Sequence, residues 1–302
     1  MTHQDDQHDV TEPASEPPSG GGLTLVATPI GNLGDLSPRA VAALKAADAV
    51  LCEDTRVTAP LLAREGVGAT LLALHDHNEI GTTPRLVERM RQGQKLALVS
   101  DAGMPLLSDP GFRLVGAAIA AGLPITAIPG PNAALTALIL SGLPPNPHYF
   151  HGFLPTRDGQ RASELARLRA AERAGLTATL IFYEAPHRLG ECLAALAEAF
   201  GDRPAAVARE LTKRFEEVRR GPLPALAAHY ATHAARGEIV VLVGPAPEEA
   251  PDTGAALDAA LRTAMAGMSL RDAAASVAEA TGLPRKQVYA RALALSAGTR
   301  DG

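Results

Sequence analysis

The chain has 302 residues, of which 46% are hydrophobic, and it carries a formal net charge of -5. This length and composition allow a sizeable core and favour two domains, while no apolar run is long enough to cross a bilayer. Cys52 and Cys192 form neither a disulfide framework nor a metal-ligand spacing, and the first residues carry no basic, apolar signal pattern. We therefore expect a cytoplasmic protein that does not associate with a membrane.

The first 22 residues differ in composition from the rest of the chain. They hold five acidic residues and no Lys or Arg, and they are rich in Pro, Gly and Ser, so we predict a disordered tail over residues 1–22. Without these five, 28 of the 33 acidic residues remain, which equals the number of Lys and Arg residues. A formally neutral body argues against non-specific nucleic-acid binding but allows a local basic patch.

Residues 23–143 alternate between short apolar runs and helix-like segments, which predicts a doubly wound parallel sheet. The predicted strands are 23–27, 49–52, 69–74, 96–99 and 125–128. The predicted helices are 39–47, a helix ending near residue 65, 83–92, 112–121 and 132–141.

The proline-rich segment 142–147 predicts a linker, since it is unable to continue a helix. Beyond it, predicted strands at 148–153, 178–183, 205–208 and 239–243 and helices at 162–174, 189–199 and 224–235 indicate a second, mixed α/β domain over 148–245. A further linker leads to three predicted helices in 255–298, with a capping pattern at Ser269–Asp272. The turn at Gly282 and the basic residues that follow resemble a helix-turn-helix, and a small helical packing module is the alternative.

The loop 100–111 is the most informative segment of the sequence. It follows a predicted strand, and ligands of open parallel sheets bind outside the carboxyl ends of the strands. Gly103 and Gly111 allow close backbone approach to a ligand, while Asp101 and Asp109 give an anionic rim. Such a rim suits a cationic or hydroxyl-rich small molecule better than a phosphate. The alternative is a capped turn between strand and helix.

Taken together, six loops resemble the tetrapyrrole methylase superfamily, and most closely its bacterial ribosomal RNA branch. They are residues 28–36, 53–56, 100–105, 129–133, 182–188 and 208–213. The resemblance implies two α/β domains of the tetrapyrrole methylase type with a cleft between them, a homodimer, and S-adenosylmethionine as the methyl donor. The implied reaction is 2′-O-methylation of a cytidine ribose in 16S rRNA, in the decoding region of the small (30S) ribosomal subunit.

The family's donor-binding loops can be carried over by position. They match Pro29, Ile30, Gly31, Ser100, Asp101, Ala102, Gly103, Met104, Pro129, Gly130, Pro131, Asn132, Ala133 and Tyr183. Ser100 and Ala102 depart from the superfamily's usual Gly and Pro, a departure that the ribosomal RNA branch shares. Asp101 suits the donor's amino group or ribose, and Met104 suits its apolar parts, with core packing as the alternative for Met104.

A ribose hydroxyl is a poor nucleophile, so a base or a charge stabiliser should assist methyl transfer. The candidates are Asp54, Glu184, Glu210 and Lys213, of which we favour the last two. Lys213 would stabilise a developing alkoxide, or act as a base if burial lowers its pKa. The alternative for each is an ordinary ion pair.

Basic residues near the same edge are candidates for binding RNA phosphates. They are Arg56, Arg188, Arg209 and Arg214, and a solvated surface is the alternative. The segment 75–79 holds two histidines without a third ligand cluster, so we predict no metal and prefer an RNA-contacting or hydrogen-bonded loop.

Two other functions remain open from the sequence. One is a methylase of a small tetrapyrrole or of a modified protein side chain, since the same fold serves different clefts. The other is a non-enzymatic RNA-binding assembly factor that uses the C-terminal helices.

Overall fold

The computed structural model of the chain describes residues 20–247 and 253–298. They fall into two compact units, divided between Pro245 and Ala246. The predicted disordered tail lies, up to residue 19, outside the described residues, and Gly22 already begins the first strand. In the part of the chain that the structure describes, no helix is both long and apolar enough to cross a membrane.

The first sheet has five parallel strands in the order β3-β2-β4-β1-β5. Its strands are β1 (Gly22–Val26), β2 (Ala49–Cys52), β3 (Thr70–Ala73), β4 (Lys95–Val99) and β5 (Ile125–Ile128). The helices that connect and follow them are α1 (Pro38–Ala46), α2 (Thr55–Arg64), α3 (Asp76–Arg91), α4 (Phe112–Ala120) and α5 (Ala133–Ser141).

Both faces of this sheet are covered by helices. Successive strand residues point to opposite faces. Leu96 and Leu98 of β4 therefore pack with α3 and α4, whereas Ala97 and Val99 pack with α1 and α2. This arrangement confirms the predicted doubly wound sheet, and it places the loops after all five strands at one edge.

The second sheet has five strands in the order β6-β7-β10-β8-β9, with β6 and β7 parallel and the other pairs antiparallel. Its strands are β6 (His148–Phe153), β7 (Thr179–Glu184), β8 (Pro204–Arg209), β9 (Glu217–Pro222) and β10 (Ile239–Val243). The helices α6 (Asp158–Arg173), α7 (Leu189–Phe200) and α8 (Leu223–Thr232) pack on one face.

Helix α5 joins the two sheets. Ala134, Ala137 and Leu138 pack against the second sheet on the face that α6, α7 and α8 leave free. Arg220 of β9 donates hydrogen bonds to the carbonyls of Leu140 and Ser141 at the end of α5. Such bonds satisfy carbonyl groups that have no partner within the helix. The two α/β regions thus form one compact unit, and the boundary at residues 143–148 stays a prediction.

Two elements differ from the sequence-based assignment. Strand β9 was not predicted, because half of its six residues are charged. It lies at the edge of the sheet, where charged side chains are common. Helix α3 begins at Asp76 rather than at Thr83. The segment 75–79, interpreted from the sequence as a loop, is therefore the start of a helix, in which Glu79 is buried and accepts hydrogen bonds from the backbone of Arg113 and Leu114.

The C-terminal unit contains α9 (Thr253–Met265), α10 (Leu270–Thr281) and α11 (Arg285–Gly298), as the three-helix prediction requires. Its core includes Leu261, Val277 and Val288. The predicted capping pattern is present, because the Ser269 hydroxyl accepts a hydrogen bond from the backbone of Asp272.

Candidate active site

The loops after β1, β4 and β5 meet the second sheet around a cavity of about 350 Å³. The predicted donor-binding residues that line it are Ile30, Ser100, Asp101, Ala102, Gly103, Met104, Ala133 and Tyr183. The sequence pattern therefore brings together side chains from both sheets. The volume lies within the range of small-molecule sites.

The other predicted donor-binding residues lie beside this cavity. Pro29 and Gly31 line a second, adjacent cavity of about 230 Å³. Residues 129–132 line neither cavity and instead shape the wall behind Ala133. Gly130 packs so closely on β1 that a β-carbon there would lie 2.8 Å from Ala27 Cβ, and the Asn132 side chain caps α5 by accepting from the Leu135 backbone at 2.9 Å.

Hydrogen bonds hold the first and fourth loops together. The backbones of Thr28 and Gly103 exchange two bonds, of 2.9 and 3.2 Å. The Thr28 hydroxyl also donates to the Ser100 carbonyl at 2.9 Å. Gly103 has a φ of 88°, and a β-carbon there would lie 3.2 Å from Ile30 Cγ2. Glycine is favoured at this position because it accepts the left-handed conformation and the close contact.

Four carboxylates line the cavity, and two of them, Asp101 and Asp109, lie on the loop after β4. Burial raises the pKa values of both Asp101 and Asp109 above their usual range. Asp101 accepts a hydrogen bond from the Asp54 backbone at 3.3 Å, which fixes the loop after β2 against the loop after β4. Partly buried carboxylates without a basic partner are poised to receive a cation.

The opposite wall is aromatic and comes from the second sheet. Tyr183 contacts Phe150 and Phe153 edge to face, with ring centroids 5.0 and 5.6 Å apart. Phe153 lines the cavity but was absent from the predicted site. Its position as an aromatic residue at the carboxyl end of β6 is the sequence signal that could have identified Phe153.

The segment 237–240 also lines the cavity and was not predicted. It lies at the start of β10, which runs antiparallel to β7. The beginning of β10 therefore reaches the edge where β7 ends, an arrangement that no local sequence pattern indicates. Glu238, from this segment, borders both cavities.

Lys213 lies in the second cavity between two carboxylates. Its ammonium donates to Glu210 Oε1 at 2.9 Å and to Glu238 Oε2 at 2.8 Å. Burial alone would lower its pKa, but the bonds to Glu238 and Glu210 outweigh burial, and the pKa of Lys213 is raised. The bond from Lys213 lowers the pKa of Glu210. The arrangement favours a permanently charged Lys213 and disfavours the base role that we considered from the sequence.

The other two catalytic candidates occupy different positions. Glu184 borders the first cavity, but its side chain shares the strand face of Phe182, which packs with the helices behind the sheet. It is buried beside Arg188, with 3.4 Å between Glu184 Oε1 and Arg188 Nε. Asp54 caps α2 and binds Arg56, and the bonds from Arg56 lower the pKa of Asp54 to about 2.

The four arginines predicted to bind RNA are not equivalent. Arg56 is exposed and paired with Asp54, and Arg209 is paired with Glu217 at 2.6 Å. The guanidinium of Arg188 is directed inward, because it donates to the Leu154 carbonyl at 2.8 Å. Arg214 lies with its guanidinium carbon 5.5 Å from the ring centroid of Phe215.

Both cysteines are buried in the core, and burial raises the pKa of each thiol. Neither lines either cavity. No group of three or more His, Cys, Asp or Glu side chains within residues 20–247 and 253–298 is arranged to hold a metal ion.

Two family models match the chain. The model described as Tetrapyrrole (Corrin/Porphyrin) Methylases matches residues 22–227, and the one described as RsmI C-terminal HTH domain matches residues 251–296. The first covers more than half of the chain, so the fold and the site define a protein of the tetrapyrrole methylase class. The second covers the C-terminal unit, whose helix-turn-helix interpretation stays a prediction.

Relatives of known name narrow this class. The ribosomal RNA small subunit methyltransferase I of Mesorhizobium japonicum is 50% identical over 93% of this chain and 95% of its own length. The chain belongs to the ribosomal RNA small subunit methyltransferase I family, within the tetrapyrrole methylases. The predicted resemblance, fold class and methyltransferase class are thereby confirmed.

Solved structures agree with this fold. The methyltransferase CobJ has a TM-score of 0.57 and 24% identity, covering 75% of this chain and 95% of its own. A uroporphyrin-III C-methyl transferase from Thermus thermophilus, complexed with S-adenyl homocysteine, has a TM-score of 0.52 and 20% identity, covering 74% of this chain and 97% of its own.

The predicted methyl donor of the family, S-adenosylmethionine, fits the residues of the first cavity. The donor is a sulfonium cation that carries an amino acid and an adenosine and has no phosphate. The cavity offers the carboxylates of Asp101 and Asp109 for the polar groups and an aromatic wall at Phe153 and Tyr183 for the adenine. The cofactor is S-adenosylmethionine, as the family membership requires.

Proposed function

We propose that this protein methylates the 2′-hydroxyl of a cytidine ribose in 16S rRNA, in the decoding region of the small ribosomal subunit. The observation that carries the proposal is the shared wall of the two cavities. Ile30, Asp101, Ala102 and Glu238 border both of them. A donor in the first cavity and an acceptor in the second would therefore contact the same four residues.

The first cavity is the proposed donor site. Asp101 and Asp109 accept hydrogen bonds from the amino group or the ribose, while Ile30 and Met104 supply apolar contact. When bound, S-adenosylmethionine supplies an activated methyl group. The contribution of the chain is to hold the reacting groups in line and to exclude water between them.

The second cavity is the proposed acceptor site. Pro29, Leu33, Val57 and Leu61 give it an apolar wall, and Lys213 places a positive charge opposite. A ribose oxygen gains negative charge as it loses its proton during attack on the methyl carbon. A preorganised ammonium stabilises that charge more than a mobile one does. Glu210 and Glu238 orient the Lys213 ammonium.

Glu238 is the proposed proton acceptor. It borders both cavities, and its second oxygen is free of the bond to Lys213 in the described contacts. Glu210 is less suited, because it lines neither cavity. Asp54 and Glu184 are assigned no chemical step, since neither lines the second cavity.

RNA is proposed to lie over Arg56, Arg209 and Arg214. These residues occupy the loops and strand ends around the acceptor cavity. Arg188 is not part of this surface, because its guanidinium binds backbone carbonyls of the 154–155 segment.

A homodimer is part of the proposal. Phe112 and Ile119, seven residues apart on α4, are 77% and 65% exposed, and Ile80 on the neighbouring α3 is 66% exposed. Exposed apolar clusters of this kind mark interaction surfaces. A second copy of this chain is the proposed occupant.

Transfer of labelled methyl from S-adenosylmethionine to purified 30S subunits tests the function. We expect label in 16S rRNA and none in a porphyrin substrate or in ribosomal proteins. Label in a porphyrin would favour a tetrapyrrole methylase. RNA binding without any transfer would favour an assembly factor.

A further inference from the structure

The loop between β8 and β9 exposes an aromatic residue beside the proposed acceptor cavity. Phe215 is 65% exposed, and it lies two residues after Lys213, which lines that cavity. Exposing a phenylalanine ring to water is unfavourable. An aromatic residue in this position on a nucleic-acid enzyme is suited to stacking on a base.

The backbone of this loop is held in one conformation. Glu210 and Thr212 have φ angles of 52° and 65°, values that non-glycine residues rarely adopt. Within the loop, the Lys213 backbone donates to the Glu210 carbonyl at 3.0 Å, and the Thr212 backbone donates to Glu216 Oε2 at 2.7 Å.

The same loop is bound to the loop after β1. The Thr212 hydroxyl accepts a hydrogen bond from the Asn32 backbone at 3.0 Å. The stem of Lys213 also packs on Gly31. These contacts attach the loop that carries Phe215 to the rim of the second cavity, so less ordering of the loop is needed on binding.

A free cation accompanies the ring. The Arg214 guanidinium carbon lies 5.5 Å from the Phe215 ring centroid, within cation–π range. In the described ranges 20–247 and 253–298, no carboxylate lies within ion-pair distance of Arg214. Its charge is therefore available to a phosphate while its plane borders the ring. An aromatic ring beside an unpaired arginine matches a nucleotide, whose base stacks and whose phosphate pairs.

We infer that Phe215 is a stacking platform for the nucleobase next to the methylated nucleotide in single-stranded rRNA, with Arg214 binding the adjoining phosphate. This inference rests on the proposed function. In this arrangement the β8–β9 loop holds the RNA strand unpaired, so that the target ribose enters the second cavity.

The test compares Phe215→Ala, Phe215→Leu and Phe215→Tyr in steady-state methylation of 30S subunits. Removing one base–aromatic stack should raise KM for the subunit by about 5- to 150-fold. Because leucine keeps the apolar volume but not the flat face, Phe215→Leu should resemble Phe215→Ala. Phe215→Tyr should retain the wild-type KM. Ile139→Ala, at a position 75% exposed on α5, is the control for loss of a surface apolar group and should change nothing.

Calorimetry with S-adenosylmethionine separates a loss of RNA binding from damage to the donor site. The inference requires unchanged donor affinity in all three Phe215 variants. The inference is overturned if Phe215→Ala leaves KM for the subunit unchanged, or if Phe215→Leu has the wild-type KM. It is also overturned if the affinity for S-adenosylmethionine falls as KM for the subunit rises. In the first two cases methylation by the wild-type protein persists, so the proposed function stands. If the wild-type protein binds the donor but methylates no RNA, the proposed function fails and takes this inference with it.

Discussion

The side chain of Lys213 lies directly against the backbone of Gly31. A β-carbon at residue 31 would lie 2.5 Å from Lys213 Cγ and 2.8 Å from its Cε. Gly31 follows β1 and Lys213 follows β8, so this contact joins the two sheets beside the acceptor cavity. Because Gly31 has no side chain, the Lys213 side chain is able to lie against the Gly31 backbone.

Gly31→Ala should displace Lys213 and strain the backbone, since φ at this position is 152°. We expect kcat to fall by roughly 10- to 100-fold, because misplacing a group by about 1 Å costs on that order. Gly81→Ala is the control, because Gly81 is in helix α3 with open space around it. Steady-state kinetics on 30S subunits measure both variants. An unchanged kcat for Gly31→Ala would show that the contact has no catalytic role.

Asp101→Asn should weaken donor binding while preserving the fold, because the amide oxygen still accepts the Asp54 backbone hydrogen bond. Loss of a charge-assisted hydrogen bond costs about 1.5–3 kcal/mol, or roughly 10- to 150-fold in Kd for S-adenosylmethionine. Asp35→Asn, in an exposed turn, is the matched control. Calorimetry measures both.

The pH dependence of donor binding follows from the same residue. Burial raises the pKa of Asp101, so its carboxylate becomes protonated at a pH above the ordinary range for aspartate. Donor affinity should therefore decline as the pH is lowered towards that range, more steeply in the wild type than in Asp101→Asn. Parallel declines in the two proteins would assign the effect to another group.

Lys213→Met should lower kcat by about 10²- to 10³-fold, the usual effect of removing a preorganised charge stabiliser. Lys213→Arg should retain more activity, because it keeps the charge. Since the pKa of Lys213 is raised above 10.5, its ammonium contributes below that pH and is lost only as the pH rises through the raised value. The wild-type rate should accordingly show no loss between pH 7 and about 9 from this residue. A rate that rises through that range in the wild type, and no longer does so in Lys213→Arg, would restore the base role.

Arg188→Gln should destabilise the protein rather than weaken RNA binding. It leaves the fully buried Glu184 side chain without its cation, and breaking a buried pair costs about 3–5 kcal/mol. Arg214→Gln is the contrasting variant. It should leave the unfolding free energy unchanged and reduce the salt dependence of RNA binding by about one phosphate contact. Denaturant unfolding and binding titrations at several salt concentrations measure the pair, and a swap of the two effects would contradict the assignment.

Phe112→Asp should convert the proposed dimer to a monomer, because a carboxylate at the centre of an apolar contact must be desolvated. Light scattering after size exclusion measures the mass. Leu135→Asp, on the exposed side of α5, is the control and should leave the mass unchanged. A dimer that survives Phe112→Asp would place the interface elsewhere.

Much of the first sheet could be predicted because its strands are short apolar runs between turn residues. The loops after β1 and β4 could be predicted for the same reason, since parallel strands place their carboxyl ends at one edge. Strand β9 could not, because a charged edge strand carries no apolar alternation. Glu238 could not, because it enters the site only through the antiparallel pairing of β10 with β7.

The sequence predicted where the site residues lie better than it predicted what each residue does. Arg188 and Arg214 look alike as isolated basic residues, and tertiary contacts alone direct one inward and leave the other beside Phe215. Lys213 was open to two roles until Glu210 and Glu238 were placed on either side of its ammonium. The contacts that sequence patterns miss are the distant ones, since Leu154 lies 34 residues from Arg188 and Glu238 lies 25 residues from Lys213.

The central claim is that the chain methylates a cytidine 2′-hydroxyl in the decoding region of 16S rRNA. Mass-spectrometric mapping of ribose methylation in 16S rRNA, from cells with and without the protein, tests it most directly. The account predicts one 2′-O-methylated cytidine in that region, present with the wild-type protein, reduced with Lys213→Met and absent from the deletion strain. An identical methylation pattern in all strains would contradict it.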